Sequence, residues 1–134
     1  MKSKVNIHII NHGEFGEAII KSAELIVGKT DYISSSSLLP NMSIEDLIEA
    51  VEEKLKEMKG EIIVLTDMYG GTPNNVASVL QNRFNAEIVC GFNLPMLIEL
   101  ILTRDNGYMS AKELVNQAIE TGKESIFSPK RIEI

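Results

Sequence analysis

The sequence predicts an α/β fold in which a doubly wound, mainly parallel sheet of four strands carries helices on both faces. The first reason is that short β-branched runs without a polar face alternate four times with longer segments of helical periodicity. Such alternation is typical of parallel sheets, because each parallel connection needs a crossover helix. The second reason is that 134 residues, of which 44% are hydrophobic and 24% charged, suit one ordinary core. We find no internal repeat or linker, and interpret residues 1–134 as a single domain.

The first strand–helix unit and the second strand occupy the beginning of the chain. Residues 5–10 form an apolar strand, and the helix after it ends at Gly28, a residue suited to a C-terminal cap. The apolar positions of this helix are Phe15, Ala18, Ile19, Ala23, Leu25 and Ile26. Residues 31–38 are the next strand, and we interpret the serines 34–37 as strand end and loop.

Two further helices flank a third strand. Ser43 and Asp46 form a capping box for the first of them, whose apolar stripe is Leu47, Ile48, Val51 and Leu55. Residues 61–66 are a buried strand. Thr72 is predicted to cap the following helix and Pro73 to be its first residue, where the missing N–H is harmless. The inner stripe of that helix is Val76, Ala77, Val79 and Leu80.

The last third of the chain contains a fourth strand at residues 86–91, a helix at about 96–102 and a final helix. Ser110 and Glu113 form a second capping box for that final helix. Its apolar residues are Leu114, Val115, Ala118 and Ile119, and it is predicted to end at Gly122. The tail 125–134 alternates polar and apolar residues, which indicates a last strand, and its proline confines that strand to a sheet edge or a bend.

Composition excludes several classes of protein. With 13 basic and 19 acidic residues the net charge is −6, which argues against non-specific binding to nucleic acid. The single Cys90 excludes an internal disulfide and a multi-cysteine metal site, and suits a reducing cytosol. We see no signal-peptide pattern, and the longest apolar run contains Glu99 and is too short to span a bilayer. We therefore expect a soluble, cytoplasmic protein.

Polar residues with binding chemistry follow the first and third strands. Parallel strands bring such residues together at their carboxyl ends, beside the point where the strand order reverses. His12 is followed by Gly13 and Gly16, whose backbones allow a close approach to a ligand. Asp67 precedes the segment 69–73, in which two glycines and the start of a helix favour an anion. Taken singly, a histidine here is more often structural, and a carboxylate often only caps a turn.

A histidine beside an anion pocket can be a base, a metal ligand or a nucleophile towards phosphorus. His8, the other histidine, is interpreted as structural, and no Walker-type loop is present, so we expect no metal and no cofactor. Phosphoryl acceptance from another phosphorylated protein remains. Asp67 would accept the Nδ1–H of His12 and leave Nε2 as the attacking atom. The expected phosphate-binding residues are Gly13, Gly70, Gly71 and Thr72.

Three segments, "IINHGEFGEAIIKSAELIVG", "VLTDMYGGTPNN" and "GFNLPMLIE", resemble in order and spacing the IIA component of the mannose family of the bacterial sugar phosphotransferase system. The resemblance implies that phospho-HPr phosphorylates His12 and that a IIB domain or subunit then accepts the group. Sugar would enter through membrane IIC and IID components. It also implies Asp67 as the partner of the histidine, and Gly71 and Thr72 near the phosphate. It further implies a homodimer that exchanges a C-terminal strand, for which residues 125–134 are the candidate.

The same resemblance implies a docking surface for HPr or IIB around His12, formed by Phe15, Met68, Tyr69, Leu94, Pro95 and Met96. Tyr69 replaces a Trp or Phe that is common in the family, and Asn74 replaces an apolar residue. We expect both on the docking rim, where they would affect partner affinity. For residues 93–97 a loop followed by a buried helix is an equal alternative. Because the chain stops at Ile134, it is interpreted as a free-standing IIA.

Two rival functions stay open at this point. The first is the phosphoryl-donor subunit of a dihydroxyacetone kinase system, which has a related fold. The second is a non-catalytic sensor or structural module, which would carry no covalent phosphate.

Overall fold

A computed structural model describes residues 4–131, and these residues form one sheet of four strands with five helices. The strands are β1 (Asn6–His12), β2 (Ile33–Leu38), β3 (Ile62–Thr66) and β4 (Glu87–Cys90). Their order in the sheet is β2-β1-β3-β4, and every neighbouring pair is parallel. The predicted α/β fold with four parallel strands is confirmed.

Helices cover both faces of this sheet. They are α1 (Phe15–Val27), α2 (Ile44–Glu57), α3 (Thr72–Phe84), α4 (Leu94–Asp105) and α5 (Ala111–Glu124). Side chains of α1, α4 and α5 pack with Ile7 and Ile9 of β1, whereas those of α2 and α3 pack with Ile10. Because successive side chains of a strand point to opposite faces, both faces of β1 need apolar residues. Both faces of β1 are buried as expected, although Asn6 and His8 share a face with Ile10.

Both predicted capping boxes are present. The Oγ of Ser43 accepts the N–H of Asp46, and the Asp46 carboxylate accepts the N–H of Ser43 at the start of α2. Ser110 and Glu113 repeat this arrangement at the start of α5. A cap of this kind contributes about 1 kcal/mol to helix stability. The starts of these two helices are thus encoded locally.

Several apolar residues that were assigned to helix interiors face solvent instead. In α1 only Ile19 and Ala23, four residues apart, are buried among the predicted apolar residues. In α3 the buried stripe is limited to Val76, Ala77 and Leu80 among the predicted apolar residues. The predicted apolar residues that are exposed are Phe15, Ala18, Leu25, Ile26 and Val79.

Some predicted boundaries are wrong by a few residues. The cap of α3 is Gly71, so Thr72 and Pro73 both lie inside the helix. The helix predicted at 96–102 begins at Leu94 and extends to Asp105. α5 continues past Gly122 to Glu124. This buried glycine allows α4 to approach, since a Cβ there would lie 3.2 Å from the Met96 Cβ.

The serine run also differs from its prediction. Serines 34–37 lie inside β2 and pair with β1, where His8 is level with Ser34. They were interpreted as strand end and loop. The hydroxyls of Ser34 and Ser36 are bonded to His8, and Ser37 Oγ accepts a hydrogen bond from Asn11, which satisfies these three hydroxyls in the sheet.

The predicted C-terminal strand is not seen in this chain. Residues 125–131 adopt no strand, and Ile126 and Phe127 are exposed, while the rest of the predicted strand lies outside the described residues. A strand needs a neighbouring strand to bond with. Strand exchange between two subunits therefore stays a prediction.

The switch point of the sheet lies between β1 and β3. From β1 the chain crosses first to β2 on one side and later to β3 on the other. Crevices form in such sheets beyond the carboxyl ends of the strands on either side of this reversal. His12 ends β1 and Asp67 follows β3, so the fold brings these two residues to one edge.

Candidate functional site

The imidazole of His12 is held by the carboxylate of Asp67. Its Nδ1 lies 2.8 Å from Asp67 Oδ2, and the same oxygen accepts the backbone N–H of His12, also at 2.8 Å. The pairing of β1 with β3 ends at Ile10 and Thr66. Beyond that point the carboxylate of Asp67 takes the place of a strand carbonyl, so the side chain and the backbone of His12 are fixed by one group.

This contact determines which imidazole nitrogen is available. A carboxylate oxygen only accepts hydrogen bonds, so Nδ1 of neutral His12 must carry the proton. Nε2 then has a free lone pair, and it makes no hydrogen bond within residues 4–131. The His12 side chain is 44% exposed and that of Asp67 is 14% exposed. The nitrogen without a proton therefore belongs to an exposed imidazole, while the carboxylate that orients this ring is largely shielded.

Gly71 lies directly against this imidazole. A Cβ at residue 71 would be 2.9 Å from His12 Cε1 and 3.4 Å from Nε2, closer than the ring could tolerate without moving. The glycine is thus required by the close approach of its backbone to the side of the ring that contains Nε2. It is also the N-cap of α3, so the first N–H groups of that helix begin beside the ring.

The two helices that begin next to His12 and Asp67 have no side-chain cap. Neither α1 nor α3 has a capping hydrogen bond, whereas Ser43, Asn93 and Ser110 cap the other three helices within the described residues. The first N–H groups of a helix carry a partial positive charge and lack partners within the helix. The uncapped end of α3, which begins beside Nε2, is therefore suited to an anion.

The predicted phosphate-binding glycines differ in their surroundings. Gly13 donates its N–H to the carbonyl of Leu38 at 3.0 Å, so this amide is engaged and does not serve a phosphate in this conformation. Its φ of +57° makes the turn after β1. Gly70 has a φ of +84° and is exposed in the turn before α3. Gly71 and Thr72 lie at the start of α3, as the prediction requires.

The predicted docking residues are only partly on the surface. Phe15, Met68 and Tyr69 are 40%, 54% and 78% exposed, and the ring of Phe15 packs edge-on against Phe92. Pro95 is exposed and Leu94 is half-buried.

Two residues expected at the docking rim are buried instead. Met96 is 3% exposed in the core, so its assignment to the docking rim is wrong. Asn74 is also buried. Its Oδ1 accepts a hydrogen bond from the hydroxyl of Thr66 at 3.2 Å, which joins α3 to β3. Its placement on the rim is wrong.

His8 has the opposite surroundings to His12, as the sequence interpretation proposed. It is fully buried, its Nδ1 lies 2.7 Å from Ser34 Oγ and its Nε2 lies 2.8 Å from Ser36 Oγ. Burial, with a smaller effect of the Lys54 ammonium, lowers the pKa of His8 to about 3. A neutral imidazole with both nitrogens occupied is structural.

Asn11 is a residue near the site that sequence reasoning missed. It is fully buried, and its Nδ2 donates to the carbonyls of His12 and Gly13. The signal was an amide that follows the apolar pair Ile9 and Ile10 and immediately precedes the histidine. A buried amide must find partners, and the nearest unpaired groups are those of the turn.

Within residues 4–131, no group of three or more His, Cys, Asp and Glu side chains could hold a metal ion. None of the helices there has the length and apolar character needed to cross a membrane.

The sequence of this chain is similar to those of known proteins. The family model EIIA-man, described as PTS system fructose IIA component, matches residues 6–119. The PTS system mannose-specific EIIAB component of Escherichia coli strain K12 is 34% identical over 126 residues, which are 91% of this chain and 38% of that protein. This chain therefore spans about two fifths of the length of that relative.

Two solved structures have the same fold. The phosphotransferase system component EIIA from Streptococcus agalactiae superposes with a TM-score of 0.85 at 35% identity, covering 92% of this chain and 96% of that one. The mannose/sorbose specific IIA subunit from Enterococcus faecalis has a TM-score of 0.87 at 25% identity, covering 98% and 99%. The similarity extends over almost the whole of each chain.

Proposed function

We propose, because the chain belongs to the mannose- and fructose-type IIA components of the sugar phosphotransferase system, that it carries a phosphoryl group on His12. The donor is phospho-HPr and the acceptor is a IIB domain or subunit. The observation that carries this proposal is the contact of 2.8 Å between His12 Nδ1 and Asp67 Oδ2, which leaves Nε2 free and accessible. A histidine that serves only structure has no need of a free nitrogen at the surface.

The transfer step follows from this tautomer. The lone pair of Nε2 attacks phosphorus, the bond between phosphorus and the donor atom breaks, and the electron pair returns to the donor protein. The imidazole becomes positively charged as the Nε2–P bond forms. Asp67 stabilises that charge through the Nδ1–H hydrogen bond, as carboxylates do for other catalytic histidines. The reverse steps deliver the group to IIB.

The phosphoryl oxygens need positive partners at the same place. Basic side chains are not required for this, since the uncapped first turn of α3 begins at Gly71, against the ring. The proposed phosphate-binding residues are accordingly Gly71 and Thr72, with Gly70 shaping the turn. Phe15, Met68 and Tyr69 offer exposed apolar surface near the histidine, which suits transient docking of a partner protein.

The wider role follows from the family. We assign the chain to the cytoplasm, upstream of a IIB partner and of membrane IIC and IID components. We also propose a homodimer in which the C-terminal segment of each subunit adds a strand to the other. β4 is an edge strand of the sheet, and the tail carries exposed Ile126 and Phe127 that such pairing would cover.

Phosphorylation in a reconstituted system tests the proposal. The protein is incubated with Enzyme I, HPr and phosphoenolpyruvate, and intact mass is measured. We expect a gain of one phosphoryl group in the parent and no gain in His12→Ala. Labelling of the variant at the parent level would contradict the site, and no labelling of either protein would favour a non-catalytic module. The acceptor of the phosphoryl group then separates the two phosphotransfer roles. Transfer to IIB supports the role in sugar transport, and transfer to a dihydroxyacetone kinase subunit supports the alternative.

A further inference from the structure

We propose that Asn11 is a positioning residue for His12, acting through the backbone that follows the strand. As a claim about phosphoryl transfer it rests on the function proposed above, but as a claim about His12 geometry it does not. Asn11 is the residue immediately before the histidine and is fully buried. A buried amide is costly unless its groups are bonded, so its partners indicate what it stabilises.

The partners of Asn11 are the carbonyls of the turn. Its Nδ2 lies 2.9 Å from the oxygen of Gly13 and 3.2 Å from the oxygen of His12, with a longer contact of 3.4 Å to Ser37 Oγ. Pairing between β1 and β3 has already ended at Ile10, while pairing between β1 and β2 continues to His12 and Leu38. The side chain of Asn11 therefore adds hydrogen bonds to the turn where β3 no longer pairs with β1.

His12 is consequently held on both sides of its Cα atom. Asp67 binds the backbone N–H and Nδ1, and Asn11 binds the backbone carbonyl. Without Asn11, the peptide after His12 would keep only the hydrogen bond from the Gly13 N–H to the Leu38 carbonyl, at 3.0 Å. We expect the imidazole then to shift relative to the carboxylate, so that the contact of 2.8 Å between Nδ1 and Asp67 is weakened.

The orientation of the Asn11 amide is dictated by these partners. Carbonyl oxygens only accept, so the NH₂ group must face the turn and Oδ1 must face away. Oδ1 is buried without a hydrogen-bond partner. It lies against Gly16 of α1, where a Cβ would overlap Oδ1 and come within 2.9 Å of Cγ.

Asn6 provides a matched control on the same strand. It is 6% exposed, and its Nδ2 donates to two backbone carbonyls, those of Lys59 at 2.8 Å and Glu61 at 3.2 Å. The two asparagines thus share residue type, strand, burial and kind of partner. Asn6 lies at the amino end of β1, away from His12. Any loss that comes simply from removing a buried amide should appear in both variants.

The experiment compares Asn11→Ala with Asn6→Ala and the parent. The side-chain ¹⁵N shifts of His12, recorded at about pH 8.5 where an ordinary imidazole is neutral, report the proportion of the Nδ1–H tautomer. We expect both variants to be less stable to urea. Only Asn11→Ala should lose part of the Nδ1–H tautomer and slow phosphoryl transfer from phospho-HPr, by about tenfold, because a displacement of about 1 Å can cost up to about 100-fold.

The opposite result is equally clear. If the His12 tautomer and the transfer rate of Asn11→Ala match those of Asn6→Ala, Asn11 is structural and the inference is overturned. If the alanine variant does not fold, Asn11→Ser, which keeps one donor, replaces it. We expect a smaller loss of the Nδ1–H tautomer in this variant. A proportion of that tautomer equal to the parent's would overturn the inference. The tautomer is read on unphosphorylated protein, so failure of the parent to accept phosphate would refute the proposed function and leave this measurement decisive for Asn11.

Discussion

His8 and His12 lie on the same strand, four residues apart and on the same face of the sheet, yet their surroundings are opposite. His8 is buried between two serine hydroxyls, and its pKa is lowered to about 3. His12 is exposed, is held by a carboxylate at one nitrogen and has the other nitrogen free. The first is suited to hold strands together and the second to react.

The difference shows that position relative to the end of the sheet decides the role of a histidine. Inside the sheet, β2 supplies the hydroxyls of Ser34, level with His8, and of Ser36, level with Ile10, and a hydroxyl can donate or accept. Such partners satisfy either tautomer and leave no lone pair free. At the end of the sheet the pairing between β1 and β3 stops, and Asp67, the residue after β3, supplies a carboxylate that only accepts hydrogen bonds. One tautomer is then selected.

The largest expected effect comes from removing the carboxylate that selects the tautomer. Asp67→Asn should keep the fold but lower the rate of phosphoryl transfer to His12 by about 100-fold, because the amide neither enforces the Nδ1–H tautomer nor stabilises the positive charge. Initial rates with phospho-HPr measure this. Asp31→Asn is the control, since it removes an exposed carboxylate paired with Lys4 at the other end of the sheet. Equal rates in the two variants would remove Asp67 from the mechanism.

Replacing the buried histidine should lower stability and leave phosphoryl transfer unchanged. His8→Leu leaves Ser34 Oγ and Ser36 Oγ without their imidazole partner, and we expect the free energy of unfolding to fall by about 2–3 kcal/mol. Urea denaturation measures this, and transfer to His12 in the folded protein should be unchanged.

The triple variant His8→Leu, Ser34→Ala, Ser36→Ala sharpens this test. Removing both partners of a buried hydrogen bond costs less than removing one, so part of the lost stability should return. A folded His8→Leu protein that accepts phosphate much more slowly would show that the two histidines are coupled, and the comparison would fail.

A smaller effect should appear in the dependence of stability on pH. Because burial and Lys54 lower the pKa of His8 to about 3, the folded protein keeps this imidazole neutral while the unfolded chain binds a proton below about pH 6.5. Keeping His8 neutral therefore costs no stability above about pH 6.5. As pH falls from about 6.5 towards 3, the free energy of unfolding falls by up to about 1.4 kcal/mol per pH unit, because only the unfolded chain binds the proton.

Urea unfolding of the parent and of His8→Gln between about pH 7 and pH 4 isolates this contribution, since carboxylates titrate in both proteins. The parent should lose more stability than the variant over this range. Parallel curves would mean that His8 is not kept neutral by the fold.

Much of the fold could be predicted because its signals are local. The capping boxes at Ser43 and Ser110 need only neighbouring residues, and the apolar strands show their burial directly in the sequence. The exposure of Leu25 and Val79 could not be predicted, because apolar residues also occur on helix surfaces and only packing shows which face is covered. The burial of Met96 and Asn74 was missed for the same reason.

By itself, the sequence determined the order of strands and helices, the placement of His12 and Asp67 at the carboxyl ends of two strands, and the glycines that let the backbone approach. These follow from periodicity and from residue chemistry, which act over a few positions. Only the tertiary structure decided that Asp67 binds both the backbone and Nδ1 of His12, that Gly71 lies against the ring, and that Asn11 bonds to the turn. The physical reason is that hydrogen bonds across 55 residues depend on the register of β1 against β3, which local patterns do not specify.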